Sequence, residues 1–314
     1  MNWGLIGYGI ITPQFAASLK LVKDETIYAI ASHSNGDQIK KDYPESKVYN
    51  NYDAIYADEN IDIVYIGTPH NFHIESVINC LENGKHVVCE KPLGVNPEEA
   101  RTMIDCAKKN NKFLLEGMWT RFLPGYRKMK EILDSGVIGE INLVQADFSI
   151  HIPRDDNHRA WSPNLAGGSL LDLGVYPVGL INDVFGEMPE DIAVFGNVVD
   201  TGVDQSIAAQ MRYKSGANAQ IYSGLNGFSQ WKGTIYGQNG WIVLDEFFRG
   251  QNLTYKVGEK VKKVSLPYKS TGFYHEIVEA VNCIENGQIE CELFSHTDTL
   301  ANADLVQRIF NELK

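Results

Sequence analysis

The sequence predicts an α/β protein of two domains: an N-terminal parallel sheet covered by helices, then a C-terminal α+β domain on a mostly antiparallel sheet. Three observations carry this. The chain has 314 residues, more than the roughly 100 to 200 of an ordinary domain. Residues 1–119 alternate short apolar runs with helical patterns, which forces right-handed crossovers. From Ile141 to Ile150 and from Ile192 to Val264, segments rich in Val, Ile, Tyr and Phe alternate with polar residues and are punctuated by Gly216, Gly227, Gly240 and Gly258. The expected domains are therefore 1–119 and 120–314.

Trp3 to Ile6 reads as the first strand, and Gly7-Tyr8-Gly9 turns the chain. Thr12-Pro13 then predicts an N-cap followed by proline at the first helical position of a helix through Leu21. Ile27 to Ala31, Ile61 to Gly67, His86 to Cys89 and Lys112 to Leu115 are further strands. Helices at Asn71 to Glu82, with Asn71 as cap, and at Pro97 to Lys108 separate the later ones. After Glu116 the texture changes. Leu123 to Ser135 and, beyond the Gly167-Gly168 turn, Ser169 to Phe185 predict helices. In the tail, Leu300, Leu305, Ile309 and Phe310 recur at helical spacing, and residues 298–314 are expected to return to the first domain.

With 44% hydrophobic and 22% charged residues the chain can bury a sizeable core. Its 28 Lys+Arg against 40 Asp+Glu, a net charge of -12, provide no basic footprint for nucleic acid or an anionic membrane. No apolar run approaches the 18 or so residues that cross a bilayer, and Met1-Asn2-Trp3 carries no charged leader region, so a cytoplasmic location is expected. The five cysteines (Cys80, Cys89, Cys106, Cys283, Cys291) are odd in number and scattered, which fits reduced, buried thiols.

Gly7-Tyr8-Gly9-Ile10-Ile11-Thr12 follows a strand and opens a helix, the setting in which glycines let a backbone approach a pyrophosphate at a helix N-terminus. This makes the first domain a candidate Rossmann domain, although Thr12 stands where the third glycine belongs. About 20 residues on, where a carboxylate would bond the ribose of NAD, the chain reads Ala31-Ser32-His33-Ser34. Without that acid, Ser32, His33 and Ser34 favour the 2′-phosphate of NADP, with NAD still compatible. Lys91, in Cys89-Glu90-Lys91-Pro92, and the segment Thr68-Pro69-His70-Asn71-Phe72-His73 both end strands at the carboxyl edge, where ligands bind. His70 and His73 lack further ligands at metal spacing, so no metal is expected there. Asp172 and Tyr176 are four apart, on one helix face.

Taken together, Gly7-x-Gly9, Thr68-Pro69-His70-x-x-His73, Glu90-Lys91-Pro92, Glu116-Gly117-Met118-Trp119-Thr120-Arg121-Phe122 and Gly167-Gly168-x-Leu170-x-Asp172-x-Gly174-x-Tyr176-Pro177 resemble the Gfo/Idh/MocA oxidoreductase family. Within it the chain is most similar to the branch of dimeric dihydrodiol dehydrogenases and NADP-dependent D-xylose dehydrogenases. These share Trp-Thr-Arg-Phe and carry tyrosine where inositol dehydrogenases carry histidine. The resemblance implies an open-faced C-terminal sheet used for a homodimer or homotetramer. It also implies hydride transfer between NADP(H) and a sugar, cyclic polyol or vicinal diol. On the same basis, Gly7, Tyr8, Gly9, Ile10, Ile11, Ser32, His33, Thr68, Pro69, His70, His73, Glu90, Lys91, Trp119 and Arg121 would bind the cofactor. Lys91 and Tyr176 would be catalytic, and Asp172 would line the substrate site.

In that scheme Tyr176 exchanges the substrate hydroxyl proton. A free tyrosine has a pKa near 10, too high for a general base at neutral pH. One positive charge about 4 Å away at an effective dielectric of about 20 is worth about 4 kcal/mol, or about three pKa units, and Lys91 is the expected source. Asp172 is the alternative base. A rival reading is a cofactor- and sugar-sensing regulator of the same fold that has lost turnover. The presence of Lys91, Asp172 and Tyr176 together favours the enzyme. His158, Arg159 and Trp161 are further candidate substrate contacts.

Overall fold

In the computed structural model, which describes residues 1–313, the chain divides into two units: Met1–Trp119 with Lys269–Thr299, and Thr120–Tyr268 with the residues from Leu300 onward. The first unit begins β1 (Asn2–Ile6), α1 (Thr12–Leu19), β2 (Thr26–Ala31), α2 (Gly36–Asp42), β3 (Lys47–Tyr49), α3 (Asp53–Ala57) and β4 (Ile63–Ile66). It continues with α4 (His73–Glu82), β5 (His86–Glu90), α5 (Pro97–Asn110) and β6 (Leu114–Gly117). The six strands form a parallel sheet of order β3-β2-β1-β4-β5-β6, so the strand order reverses beside β1. The crevice at the carboxyl ends of β1 and β4 is where such sheets bind ligands. Leu5, Ile6, Val64, Tyr65, Val87 and Val88 are fully buried, as parallel strands covered on both faces require.

Two expected helix caps are corrected. The N-cap of α1 is Ile11, with Thr12 already inside the helix and buried. Its hydroxyl packs so closely beneath β4 that a Cβ on Gly67 would lie 2.7 Å from Thr12 Oγ1. Asn71 sits within a 3-10 turn, His70–Phe72, and α4 starts only at His73. By contrast the Asn96 side chain does cap α5, accepting the Glu99 N–H at 2.9 Å.

The second unit opens with α6 (Pro124–Asp134) and β7 (Ile141–Ser149), then a π-helical turn, Leu170–Gly174, that runs into α7 (Val175–Phe185). β8 (Asp191–Val198), β9 (Asp204–Arg212), β10 (Asn218–Gly224), β11 (Gly233–Gly237), β12 (Gly240–Asp245), β13 (Asn252–Val257) and β14 (Lys260–Ser265) follow. With β7 they make a sheet of order β14-β13-β12-β11-β7-β10-β9-β8, antiparallel except where β7 meets β10. α7 covers one face, over buried Val144, Ala146, Ala219 and Ile221. On the other face Phe195, Tyr222 and Tyr236 are exposed among glutamines: Gln145 donates to Gln220 at 2.6 Å, and Gln220 to Gln210 at 2.8 Å. The uncovered face is thus mixed, not simply apolar.

The last helices are α8 (Phe273–Glu285) and α9 (His296–Asn311). The expectation that residues 298–314 return to the first unit is corrected. It is Lys269–Thr299, with α8, that groups there; Thr271 donates to Gln14 O at 2.8 Å beside α1. From Leu300 onward α9 belongs to the second unit, where Asn182 donates to Asn302 Oδ1 at 2.9 Å and Arg308 to Pro189 O at 2.9 Å. Helical periodicity identifies a face to bury, not the surface that buries it. Among the described residues no helix is long and apolar enough to cross a membrane.

Candidate active site

At the end of β1, Gly7 has φ +85° and its N–H donates to Ala31 O at 3.0 Å. A Cβ there would stand 2.9 Å from Gly67 O, so the turn requires glycine. Gly9 is different: a Cβ would meet nothing within 4 Å, which leaves its backbone open to a ligand. Ile10 is 85% exposed beside it, and Ile11 is half-buried. Tyr8 is turned away, its hydroxyl donating to Asp42 Oδ2 at 2.8 Å, and burial raises its phenol above the ordinary range. Only its backbone faces the turn, and there Tyr8 O accepts from Asn35 at 2.8 Å.

Beyond β2, Ser32 is buried while His33 and Ser34 are exposed. His33 Nδ1 lies 3.1 Å from Asn50 O and its ring 4.4 Å from that of Tyr52, so the imidazole is held in place.

After β4, the buried Thr68 hydroxyl has no hydrogen-bond partner among the described residues. His70 is buried, its ring 5.8 Å from that of His73. His73 is 0% exposed; Nδ1 lies 2.9 Å from Pro92 O and Nε2 3.0 Å from Thr68 O. Burial lowers its pKa and keeps the ring neutral. His73 therefore braces the loop after β4 against the loop after β5 and does not itself present a surface to a cofactor. That corrects its expected binding role.

At the end of β5, Tyr65 donates to Glu90 Oε1 at 2.8 Å inside the core. Lys91 is half-buried, with its charge felt by both His73 and Glu116. Burial pushes the Glu116 carboxyl up to about 7, against the lowering influence of Thr299, the Leu93 N–H and the Lys91 ammonium. Glu276, on α8, is also buried, and burial, with the neighbouring Glu90 charge, raises its carboxyl well above the carboxylate range. Trp119 stacks on Phe273, ring centroids 5.3 Å apart. Tyr65 and Glu276 were invisible to motif reading because their relevance lies in what they touch.

In the second unit, Asp172 is buried in the π-helical turn and its Oδ2 accepts Arg159 Nη2 at 3.0 Å. Arg159 itself is 46% exposed. Tyr176, one turn on, is buried beside Phe148 and Phe248, at ring distances of 5.5 and 5.9 Å. Trp231 completes this aromatic wall, 5.9 Å from Phe148. Of the three residues the sequence could not place, Arg159 thus reaches the site, His158 caps a short 3-10 turn, and Trp161 is buried. Arg121 is engaged otherwise than expected: its guanidinium pairs with Asp183 at 3.0 Å, both side chains being largely buried.

One positioning residue went unpredicted. Asp204, buried at the start of β9, accepts the Leu170 N–H and the Ser169 hydroxyl, each at 2.8 Å, and so anchors the turn that carries Asp172. Gly168, at φ +131°, permits this; a Cβ there would stand 2.1 Å from Asp204 Oδ1.

Comparison with known proteins follows these two halves. Residues 1–118 match a family model described as the oxidoreductase family, NAD-binding Rossmann fold, and residues 126–243 match the GFO/IDH/MocA C-terminal domain. The trans-1,2-dihydrobenzene-1,2-diol dehydrogenase of Sus scrofa is 30% identical over 329 residues, covering 100% of this chain and 96% of its own. A 3-ketoreductase from Actinomadura kijaniata, solved with NADP and TDP-benzene, is similar with a TM-score of 0.89 at 23% identity, covering 100% and 98% of the two chains. A levoglucosan dehydrogenase, solved with NADH and levoglucosan, gives a TM-score of 0.88 at 20% identity over 99% and 96%. At such identities the two solved structures share the fold.

Proposed function

The chain belongs to the Gfo/Idh/MocA oxidoreductase family, and from that premise we propose that it moves a hydride between NADP(H) and a CH–OH or C=O group of a sugar, cyclic polyol or vicinal diol. That it is an NAD(P)-dependent oxidoreductase follows from the family and its relatives. The first unit suits the dinucleotide: Gly9 leaves the backbone open at the helix start, and the unpartnered Thr68 hydroxyl offers a polar contact at the edge of β4. When bound, the cofactor supplies the hydride donor or acceptor. The absence of a carboxylate after β2 supports NADP over NAD.

The observation that carries the reading is the pairing of Asp172 and Tyr176 along one helix, with the phenol against an aromatic wall. In the proposed mechanism Tyr176 takes the proton from the substrate hydroxyl during oxidation and returns it during reduction. Asp172, held by Arg159, accepts a hydrogen bond from a neighbouring substrate hydroxyl and fixes its orientation. Phe148, Phe248 and Trp231 pack against the carbon face of the ring and exclude water. Lys91 contributes the positive charge that favours the ionised phenol.

The test is a screen of aldoses, inositols and diols with each cofactor, followed at the nicotinamide absorbance, and then two variants on the best substrate. Tyr176→Phe should lose at least about 100-fold in kcat, and Lys91→Ala more, with NADPH binding retained. Near-full turnover in Tyr176→Phe, together with its abolition in Asp172→Asn, would assign the proton to the carboxylate.

A further inference from the structure

A pair of thiols at the far end of α8 carries chemistry that the reaction above does not use. Glu279 and Cys283 are four apart on that helix, hence on one face, and Cys291 follows in a turn closed by a bridge to Phe294. The Glu279 carboxylate and the two sulfurs all lie within 4.8 Å of one another, the sulfurs buried and the carboxylate half-exposed. The Cys291 sulfur also stands within hydrogen-bond reach of the Cys283 thiol and of the backbone N–H groups of Leu293 and Phe294. One turn back, Glu276 is 0% exposed and neither carboxylate oxygen has a hydrogen-bond partner among the described residues. Acidic groups and thiols gathered out of water are stabilised by a cation among them.

We propose that Glu279, Cys283 and Cys291 bind a thiophilic divalent cation of the Zn2+ class, which ties α8 to the turn that follows it. Two of the three donors are sulfur, which selects against Mg2+ and Ca2+. With Zn–S bonds of about 2.3 Å, tetrahedral zinc holds its sulfurs about 3.8 Å apart, so the ligand atoms need close only slightly. A water on the exposed side of Glu279 completes four ligands. Binding releases the thiol protons to solvent and involves no change of oxidation state.

The experiment uses the whole chain, reduced and stripped of metal, titrated with Co2+ and with Zn2+ against a chromophoric chelator. One cobalt per chain should bind, with the near-ultraviolet charge-transfer band of cobalt thiolate, and Zn2+ should displace it. Cys283→Ser and Cys291→Ser should each weaken binding by about 100-fold or more and Glu279→Gln by about ten-fold, while Cys106→Ser leaves it unchanged. Because Cys283 and Cys291 are buried, their metal-free variants are first compared with the parent by thermal melting. Glu279, half-exposed, supplies the variant least prone to unfold. The proposal is overturned by a cobalt spectrum without the thiolate band, by affinity unchanged in both cysteine variants, or by a Cys283–Cys291 disulfide that forms in air equally with and without Zn2+. None of these readouts depends on turnover, so failure here leaves the proposed reaction untouched.

Discussion

At the end of β2, His33 is the side chain proposed to meet the 2′-phosphate of the cofactor. Its imidazole is fixed by Asn50 O and Tyr52 at an exposed position, but a neutral ring is a weaker phosphate partner than a guanidinium fork. His33→Arg should therefore widen the NADPH-over-NADH binding ratio by about ten-fold, read by nicotinamide fluorescence titration. Tighter binding of NADH by the unmodified protein would reject the NADP preference itself. Single residues were most legible where chemistry is local. Gly7 and Gly9 sit at their motif positions, and the strand-ending Lys91 is where a sheet edge predicts a ligand contact. His73 was misjudged because its two carbonyl partners come from separate loops, which spacing in one segment does not reveal.

Among the elements, the π-helical turn Leu170–Gly174 bears most directly on the proposed chemistry. It widens one turn between Asp172 and Tyr176, and such insertions collect at functional sites. Its anchor is Asp204, at the start of β9, a partner 34 residues along the chain from Leu170. Asp204→Ala should strand the Leu170 N–H and cost about 1 to 3 kcal/mol of stability, lowering kcat while NADPH affinity holds. Gly168→Ala, with both a positive φ and a clash at 2.1 Å, should destabilise by about 2 kcal/mol or more and reduce turnover in parallel, seen by thermal melting and assay. Equal stability of Gly168→Ala and the parent would disprove the close approach. The glycines were readable as a turn, but not their reason: Gly167 makes room for the Arg159 and Ala160 carbonyls, and Gly168 for an Asp204 oxygen on a distant strand.

The whole molecule keeps an unusual set of carboxyl groups out of water. Glu116 is pushed up to about 7 and Asp204 to about 6, both chiefly by burial. A carboxyl whose folded pKa is raised binds its proton in the native state at pH values where the unfolded chain has lost it. The contribution of these groups to stability is therefore greatest at acidic pH and falls as pH rises from the ordinary carboxylate range to about 7, then levels. Each such group contributes a slope of about 1.4 kcal/mol per pH unit across its window. Glu116→Gln should remove its share of that fall, so that the variant's melting temperature rises relative to the parent's between pH 5 and 7, a window set by the Glu116 value of about 7. A melting-temperature difference between Glu116→Gln and the parent that stays constant from pH 5 to 7 would contradict the burial argument.

Assembly is decided at the same scale. Phe195 is 72% exposed, and Tyr222 and Tyr236 accompany it on the uncovered sheet face, which we propose pairs with its copy in a symmetric contact. Light scattering should give a dimer or tetramer of the 35.1 kDa chain, and Phe195→Lys with Tyr222→Lys should shift it toward monomer. A monomer mass for the parent at micromolar concentration would overturn the pairing.

The sequence by itself determined that βα units alternate up to Trp119, that glycine turns the chain after β1, and that antiparallel strands follow. These depend on hydrophobic period and on backbone conformations that a residue dictates to its neighbours. Only the tertiary structure decided that α8 joins the first unit and the greater part of α9 the second, that His73 is a brace, that Asp204 anchors the turn of Asp172, and that Cys283 and Cys291 meet. Each of these is a contact between segments with no shared local pattern. Which of many compatible apolar faces or polar atoms meets another is settled when the whole chain packs to satisfy its buried groups at once.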